Sequence, residues 1–398
     1  MGAKDGHMGI RIGILGTGAM GDGFVPAFAA HPLVDQVVLC DLDERRLAAS
    51  AARHGIVRTT TSYDALLDSD VDAIAIFTQH WMHAPQAIRA LDAGKDVYSA
   101  VPAAADLDET TALVRAVERS GRIYMMGETS AYYPEAILCR ERFARGEFGH
   151  LVYAEAEYLH DWDHGLYQVW ERRCGGPGWR AQAGDPPMHY PTHSIGMVVS
   201  VTGAHAVAVS CVGVDDTRRE DRDIYRDDNH WGNRCSNQTA LFRMSDGSAM
   251  RINEMRRIGH PSTERMTLYG TEACFERVSD GFLWTRKDRV ERLDASFAPG
   301  HPDVARRQAR LPASLSRGGE HSGSHAYLVD DFAKACAWRL QPPVNVWQAA
   351  RYLVPGLIAH RSSQRAGAML EIPDFGSGPQ VDHAAFETPA SGPAAVGR

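Results

Sequence analysis

Between residues 10 and 130 the chain alternates short apolar runs with amphipathic stretches. "IRIGILGTGAMGDGFVPAFAAH" opens with alternating apolar residues, breaks into glycines and continues with helical character. "QVVLCDLDERRL" repeats strand then helix and ends its strand at Asp41. "VDAIAIFTQHWMHAPQAIRAL" is a third such piece, with the run Ala73–Phe77 leading into an amphipathic stretch. "KDVYSA", "LDETTALVRAVERSG" and "RIYMMGE" continue the alternation. Strand–helix repeats with short connections predict an α/β fold with a doubly wound parallel sheet of Rossmann type.

After the helical "PEAILCRERFARGEFG" the period changes. "HLVYAEAEYLHDW", "AVAVSCVGV", "QTALFRMSDGSAMRINEMRR" and "ERMTLYGTEACFERV" read as longer strands joined by turns such as Asp246-Gly247. These are signals of a large, open, mainly antiparallel sheet. Two late helices are expected in "HAYLVDDFAKACAWRL" and "NVWQAARYLVPGLIAHRSSQRAG". The expected organisation is a first domain over 10–130 and an α/β domain over 131–375, whose late helices pack back on the first. A Gly-, Pro- and Ala-rich tail over 376–398 is expected to be irregular or disordered. Residues 1–9, "MGAKDGHMG", have neither an apolar segment nor a twin arginine and read as a remnant of expression sequence.

Composition narrows the classes. With 398 residues the chain exceeds one ordinary core. The formal charge of −8 disfavours nucleic acid, whose phosphates ask for a basic face. No apolar run approaches the roughly 20 residues of a membrane span. Seven scattered cysteines without a CxxC pair indicate reduced, cytoplasmic usage, with no zinc site.

Gly16, Gly18 and Gly21, with Ala19 and Met20 between them, form G-x-G-x-x-G between a predicted strand and helix. Such glycines allow a tight turn and let backbone N–H groups approach a pyrophosphate at the helix N-terminus. Asp41, closing the next strand, would accept ribose hydroxyls and repel a 2′-phosphate, which favours NAD over NADP; Arg45 and Arg46 follow it. A purely structural glycine turn is the alternative. Thr78, His83 and Pro102 are further cofactor-contact candidates, on the loops after the next strands.

The set "GILGTGAMG", "FTQHWMHAPQAIRALDAGKDVYSAVPAA" and "GSHAYLVDDFAKA" resembles the Gfo/Idh/MocA oxidoreductases over nearly the whole chain. In most members the motif before the proline is Glu-Lys-Pro, and the lysine relays the alcohol proton during hydride transfer. This chain reads Ala100-Val101-Pro102. The departure, together with "AEYLHDW", "HYPTHSIG" and "IPDF", resembles glycoside hydrolase family 109 and its NAD-dependent relatives. That resemblance implies hydrolysis without net redox. NAD+ oxidises the hydroxyl on carbon 3, the ketone acidifies the proton on carbon 2, and elimination expels the aglycone. Water then adds and NADH, tightly bound and recycled, returns the hydride.

Such a cycle needs groups that pass protons near neutral pH, which means His or a perturbed Tyr or carboxylate. Tyr158 and His160 lie two apart on one strand face, and His189, Tyr190 and His193 surround Pro191 at a loop entering a helix. By the resemblance, Tyr158, His160, Tyr190 and His193 match polar active-site positions, and Glu128 matches a cleft carboxylate. Tyr158 is expected to take the carbon-2 proton. His193, with Tyr190, would handle the oxidised hydroxyl, and those two roles are exchangeable. Glu128 and His160 would position sugar hydroxyls. Each also has a plainer reading, in strand packing for Tyr158 and structural hydrogen bonding for the histidines. A metal site in "HDWDH" (Asp161, Asp163, His164) is disfavoured, because adjacent acids on a turn are usually solvated and no second ligand group has the right spacing.

Arg172, Arg173, Arg180, Arg222, Arg226, Arg256 and Arg257 are rich enough for one or two to clamp an anionic sugar, Arg180 being the candidate chosen. Trp162, Trp170, Trp179 and Trp231 suit stacking on a sugar ring, with Trp162 preferred. The partner expected is thus a small glycoside or sugar, with no nucleic acid or membrane. A homodimer or homotetramer is expected by analogy alone. The main alternative is an ordinary NAD-dependent sugar or polyol dehydrogenase with His or Tyr replacing the lysine. A non-catalytic NAD-binding regulator is the third reading, against which the polar density of 156–193 speaks.

Overall fold

The computed structural model describes residues 9–174, 178–216, 224–315 and 321–390. Eight of the nine residues read as a remnant of expression sequence, together with Arg222 and the last eight residues of the tail, lie outside the described residues.

Six strands form the first sheet: β1 (Ile10–Leu15), β2 (Val34–Cys40), β3 (Thr59–Thr60), β4 (Ala73–Ile76), β5 (Asp96–Ser99) and β6 (Tyr124–Met126). Their order is β3-β2-β1-β4-β5-β6 and every pairing is parallel. All four residues of β4 and of β5 are buried, as expected for strands covered by helices on both faces. The crossover helices carry their own start and stop signals. Asp43 caps Glu44–His54 by accepting from the N–H groups of Arg45 and Arg46, and Gly55 ends that helix at φ +67°. The two-residue edge strand β3 was not expected, so the strand Ala73–Ile76 is fourth along the chain.

Nine strands form the second sheet. They are β7 (Leu151–Leu159), β8 (Ala206–Asp215), β9 (Cys235–Met244), β10 (Ala249–Met255), β11 (Thr263–Gly270), β12 (Ala273–Val278), β13 (Gly281–Arg286), β14 (Val290–Asp294) and β15 (Leu370–Glu371). The order is β14-β13-β12-β11-β7-β10-β9-β8-β15, antiparallel except where β10 runs parallel to β7. Burial alternates along β9 and β10, so one face is packed and the other faces outward. The hairpin β13–β14 was not anticipated, since its second strand is largely exposed and polar.

Contacts divide the chain into two compact units. One holds residues up to Tyr133 together with 306–349 and the segment from Gly376; the other holds 134–305 and 350–375. The segment 306–349, inside the second domain expected over 131–375, groups with the first unit and contains the first of the two late helices. The physical reason is visible in the helix Ser324–Trp338, whose Phe332 packs edge-on against Phe28 and Tyr98 of the first sheet's layer. Within the tail, His383–Phe386 is a short helix, and the buried Lys334 ammonium donates to the Phe386 carbonyl. All seven cysteines are free. No helix among the described residues is long and apolar enough to cross a membrane.

Candidate active site

In the first unit, the loop after β1 has the shape a dinucleotide needs. Gly16 has φ +92°, which L side chains rarely adopt. A Cβ on Gly21 would fall 1.9 Å from the Gly16 carbonyl oxygen, so only glycine lets the helix Ala19–Ala30 start this close to the strand. At Gly18 the situation is reversed: an added Cβ would meet nothing within 4 Å. Nothing in the protein demands glycine there, whereas a diphosphate approaching the helix N-terminus would. Asp41 is buried; one carboxylate oxygen accepts from the Thr17 N–H (2.7 Å) and hydroxyl (3.0 Å), and the other from the Asp43 N–H (2.9 Å). The Arg46 guanidinium lies 3.6 Å from the same carboxylate.

His83 links the loops after β4 and β5. Its Nδ1 lies 2.8 Å from the Pro102 carbonyl oxygen and its Nε2 3.1 Å from that of Thr78. Thr78 donates its hydroxyl to Gln86 Oε1. The Val101-Pro102 bond is cis. Glu128 is fully buried at the end of β6, where one oxygen accepts from the Ser130 N–H.

In the second unit the four residues expected to handle protons come together. Tyr158 is the penultimate residue of β7 and His160 follows the strand end. The Tyr158 hydroxyl and His160 Nδ1 are 2.7 Å apart. His193 stands in the first turn of the helix Thr192–Thr202, with Tyr190 just before it. The His193 ring meets Tyr158 edge-on at 5.2 Å between centroids and Tyr190 at 5.3 Å, and Tyr190 lies 6.2 Å from Tyr158. The Arg256 guanidinium lies over the Tyr158 ring, 4.8 Å from its centroid.

Charge in this cluster is tuned by enclosure. Burial, aided by the Arg256 and Arg173 cations, pushes His160 down to about 3, so it is neutral and its Nδ1 can accept from Tyr158. Burial and the Glu264 carboxylate push the Tyr158 phenol well above its usual value, against the pull of Arg256 and Arg173. Tyr158 is a phenol at rest.

Two carboxyls at the site were missed in the sequence. Glu254 on β10 is fully buried and directly beside Tyr158 in the strand register. It accepts from the Ser194 hydroxyl and from Arg256 Nη2 (3.2 Å). Burial raises it to about 8, in opposition to Arg256. Asp185 is raised to about 7 by burial, opposed by Arg256 and Arg173. For Glu254 the signal was present: the period of two in "AMRINEM" puts it on the same face as Met250 and Ile252. Asp185 sits in an irregular stretch with no such periodicity.

Other expected site residues lie elsewhere. Trp162 is 1% exposed, donates its indole N–H to the Tyr225 hydroxyl and is a core strut, so the expected stacking surface is not there. Arg180 stacks on the Trp179 ring at 4.8 Å. The carboxylate of Asp161 is occupied by the N–H groups of Asp163 and Ile258. Arg257 is held by Asp216 and the Tyr167 hydroxyl.

A parallel six-stranded sheet with an open glycine loop at a helix N-terminus and an acid closing β2 defines an NAD-binding Rossmann domain. Residues 10–128 match the family model described as oxidoreductase family, NAD-binding Rossmann fold, of the Gfo/Idh/MocA proteins. A glycosyl hydrolase family 109 protein of Streptomyces niveus is 26% identical over 399 residues, covering 93% of this chain and 78% of that one. A second protein of that name, from Shewanella sp. (strain ANA-3), is 31% identical over 201 residues, 48% of this chain and 43% of its own. Among solved structures, levoglucosan dehydrogenase in complex with NADH and levoglucosan shares the fold with a TM-score of 0.75 at 20% identity. That match covers 92% of this chain and all of that one.

Proposed function

We propose that the protein is an NAD-dependent enzyme acting on a glycoside, which it hydrolyses by transient oxidation. The convergence of Tyr158, His160, Tyr190 and His193 carries the reading, together with similarity along most of the chain to proteins named glycosyl hydrolase family 109. Four proton-passing side chains meet in one place while Val101 occupies the position where the Gfo/Idh/MocA resemblance would put a lysine.

NAD, when bound, supplies a hydride acceptor for the ring carbon and later returns the hydride. Gly16, Gly18 and Gly21 would hold its pyrophosphate at the helix N-terminus, Asp41 its ribose, and Thr78, His83 and Pro102 the loops beside it. His193, backed by Tyr190, takes the proton of the hydroxyl being oxidised. Tyr158 takes the proton from carbon 2, and the Arg256 guanidinium over its ring lowers the cost of the phenolate that must form first. Neutral His160 orients the phenol through Nδ1. Glu128 holds a sugar hydroxyl. Arg173, whose charge is felt by Tyr158, His160 and Asp185, is the arginine best suited to an anionic substituent on the substrate. The outward face of the second sheet, with Val152, Val212 and Leu241 exposed, suits a second copy of the chain in a homodimer or homotetramer. Seven free cysteines fit a reducing, cytoplasmic setting.

The second reading is an ordinary NAD-dependent sugar dehydrogenase, which the likeness in fold to levoglucosan dehydrogenase favours. Stoichiometry separates the two. Against a panel of neutral and anionic nitrophenyl glycosides with trace NAD+, the first reading gives nitrophenol far in excess of the NAD present and no steady NADH. The second gives NADH accumulating with sugar oxidation and no nitrophenol.

A further inference from the structure

Glu254 is chemically out of place: a carboxyl with no exposure on a face shared with Met250 and Ile252. Its neighbours explain it. In the register of the sheet Tyr158 lies between Glu254 on β10 and Glu264 on β11, all three on the same face. The Glu254 carboxyl reaches in two directions. It accepts from Ser194, the residue after His193, and from Arg256, whose guanidinium covers the Tyr158 ring. A single side chain thus touches the supports of both proton-handling arms.

We propose that Glu254 is a positioning residue that holds Arg256 over Tyr158 and, by carrying or lacking charge, sets how readily the phenol gives up its proton. The proposal rests on the assignment of Tyr158 above. With Glu254 ionised, its charge offsets the Arg256 cation and adds a negative charge one strand away from the ring, about 4.8 Å in sheet spacing. With Glu254 protonated, the cation acts undiminished on Tyr158, and the phenolate becomes accessible. The other charged or titratable groups bearing on the pair are fixed in place around it. His193 acts on Glu254 from the helix above, Asp185 and Tyr225 act on Arg256 from the connecting segments, and Tyr158 is acted on by Glu264 from β11, by Tyr190 and by Arg173 from the helix Leu166–Cys174. Burial places the Glu254 transition at about 8, so both forms are reachable in ordinary buffers.

A strut that only accepted hydrogen bonds would be replaced by glutamine without consequence for the phenol. The test is therefore Glu254→Gln, read by NMR of protein labelled at the tyrosine ring carbon bearing oxygen, with Tyr158 assigned by its loss in Tyr158→Phe. The Tyr158 signal should move toward phenolate at a pH lower than in wild type by about one unit, tenfold in proton affinity. A difference below about 0.3 unit would overturn the proposal. Should Glu254→Gln fail to fold, Arg256→Met carries the same test with the opposite sign, and an unchanged Tyr158 titration there overturns it equally. Neither measurement needs substrate or NAD. A failed glycoside panel with a shifted phenol would sink the functional reading alone, and an unshifted phenol with a working panel would sink only the role of Glu254.

Discussion

The nucleotide loop and the cluster of Tyr158, His160, Tyr190 and His193 are built on opposite plans. In the first, backbone does the recognising and the side chains are conspicuous by being small; Gly16, Gly18 and Gly21 lie within six consecutive residues. In the second, side chains from two strands, a helix N-terminus and the connecting segment before it converge, and their sequence numbers run from 158 to 256. A local backbone site tolerates almost no change of residue at its glycines, but its chemistry is generic. A convergent side-chain site has its chemistry in a few atoms, whose charge states are set by neighbours distant in sequence.

The largest effect that would break or sharpen this contrast is expected at Tyr158. Removing the phenolic oxygen in Tyr158→Phe should lower turnover by about 10²–10⁴-fold, the usual worth of a positioned acid or base. NAD affinity by equilibrium titration should stay at the wild-type value. Loss of NAD binding in this variant would mean that the two sites do not divide the work as described.

Next comes stability against pH at His360. Burial lowers it from 6.5 to about 4, and its Nδ1 accepts from Gln238 Nε2, which fixes the neutral form. A histidine whose folded pKa is depressed contributes stability that is intact above the unfolded value and is lost as pH falls toward the folded one. Unfolding free energy should therefore drop by about 3 kcal/mol as pH falls through that window. His360→Gln should flatten this limb in denaturant titrations at several pH values, and an unchanged slope would remove His360 as its source.

A smaller and more discriminating pair of changes lies in the glycine loop. Gly21→Ala puts a methyl against the Gly16 carbonyl and should lower the melting temperature as well as NAD affinity. Gly18→Ala meets no protein atom, so its melting temperature should match wild type while NAD affinity falls by about 1–3 kcal/mol, the cost of crowding a tight contact. Equal melting losses in both variants would show that Gly18 serves the fold and not the ligand.

The same contrast explains what the sequence disclosed. The glycine triplet, Asp41 and the strand–helix alternation are local patterns, so the Rossmann sheet and its cofactor were legible. Tyr158, His160, Tyr190 and His193 stand in two short motifs, so their grouping was legible before the fold brought them together. Glu254 and Asp185 matter only through what is packed around them. Their carboxyls are ordinary in a list of residues and become unusual after burial beside Arg256. Trp162 failed in the other direction: an aromatic beside a polar motif suggested a sugar platform, but the indole is enclosed and satisfied by Tyr225. The late helices were expected to pack back on the first domain; Ser324–Trp338 groups with the first unit, whereas most of Val346–Ser363 groups with the second, a division that periodicity does not mark.

The most direct measurement follows hydrogen at carbon 2. A nitrophenyl glycoside turned over in deuterium oxide with trace NAD+ should yield sugar carrying one deuterium at carbon 2 in every product molecule, and Tyr158→Phe should abolish that incorporation. Hydrolysis with the original hydrogen retained at carbon 2 would contradict transient oxidation and the place given to Tyr158.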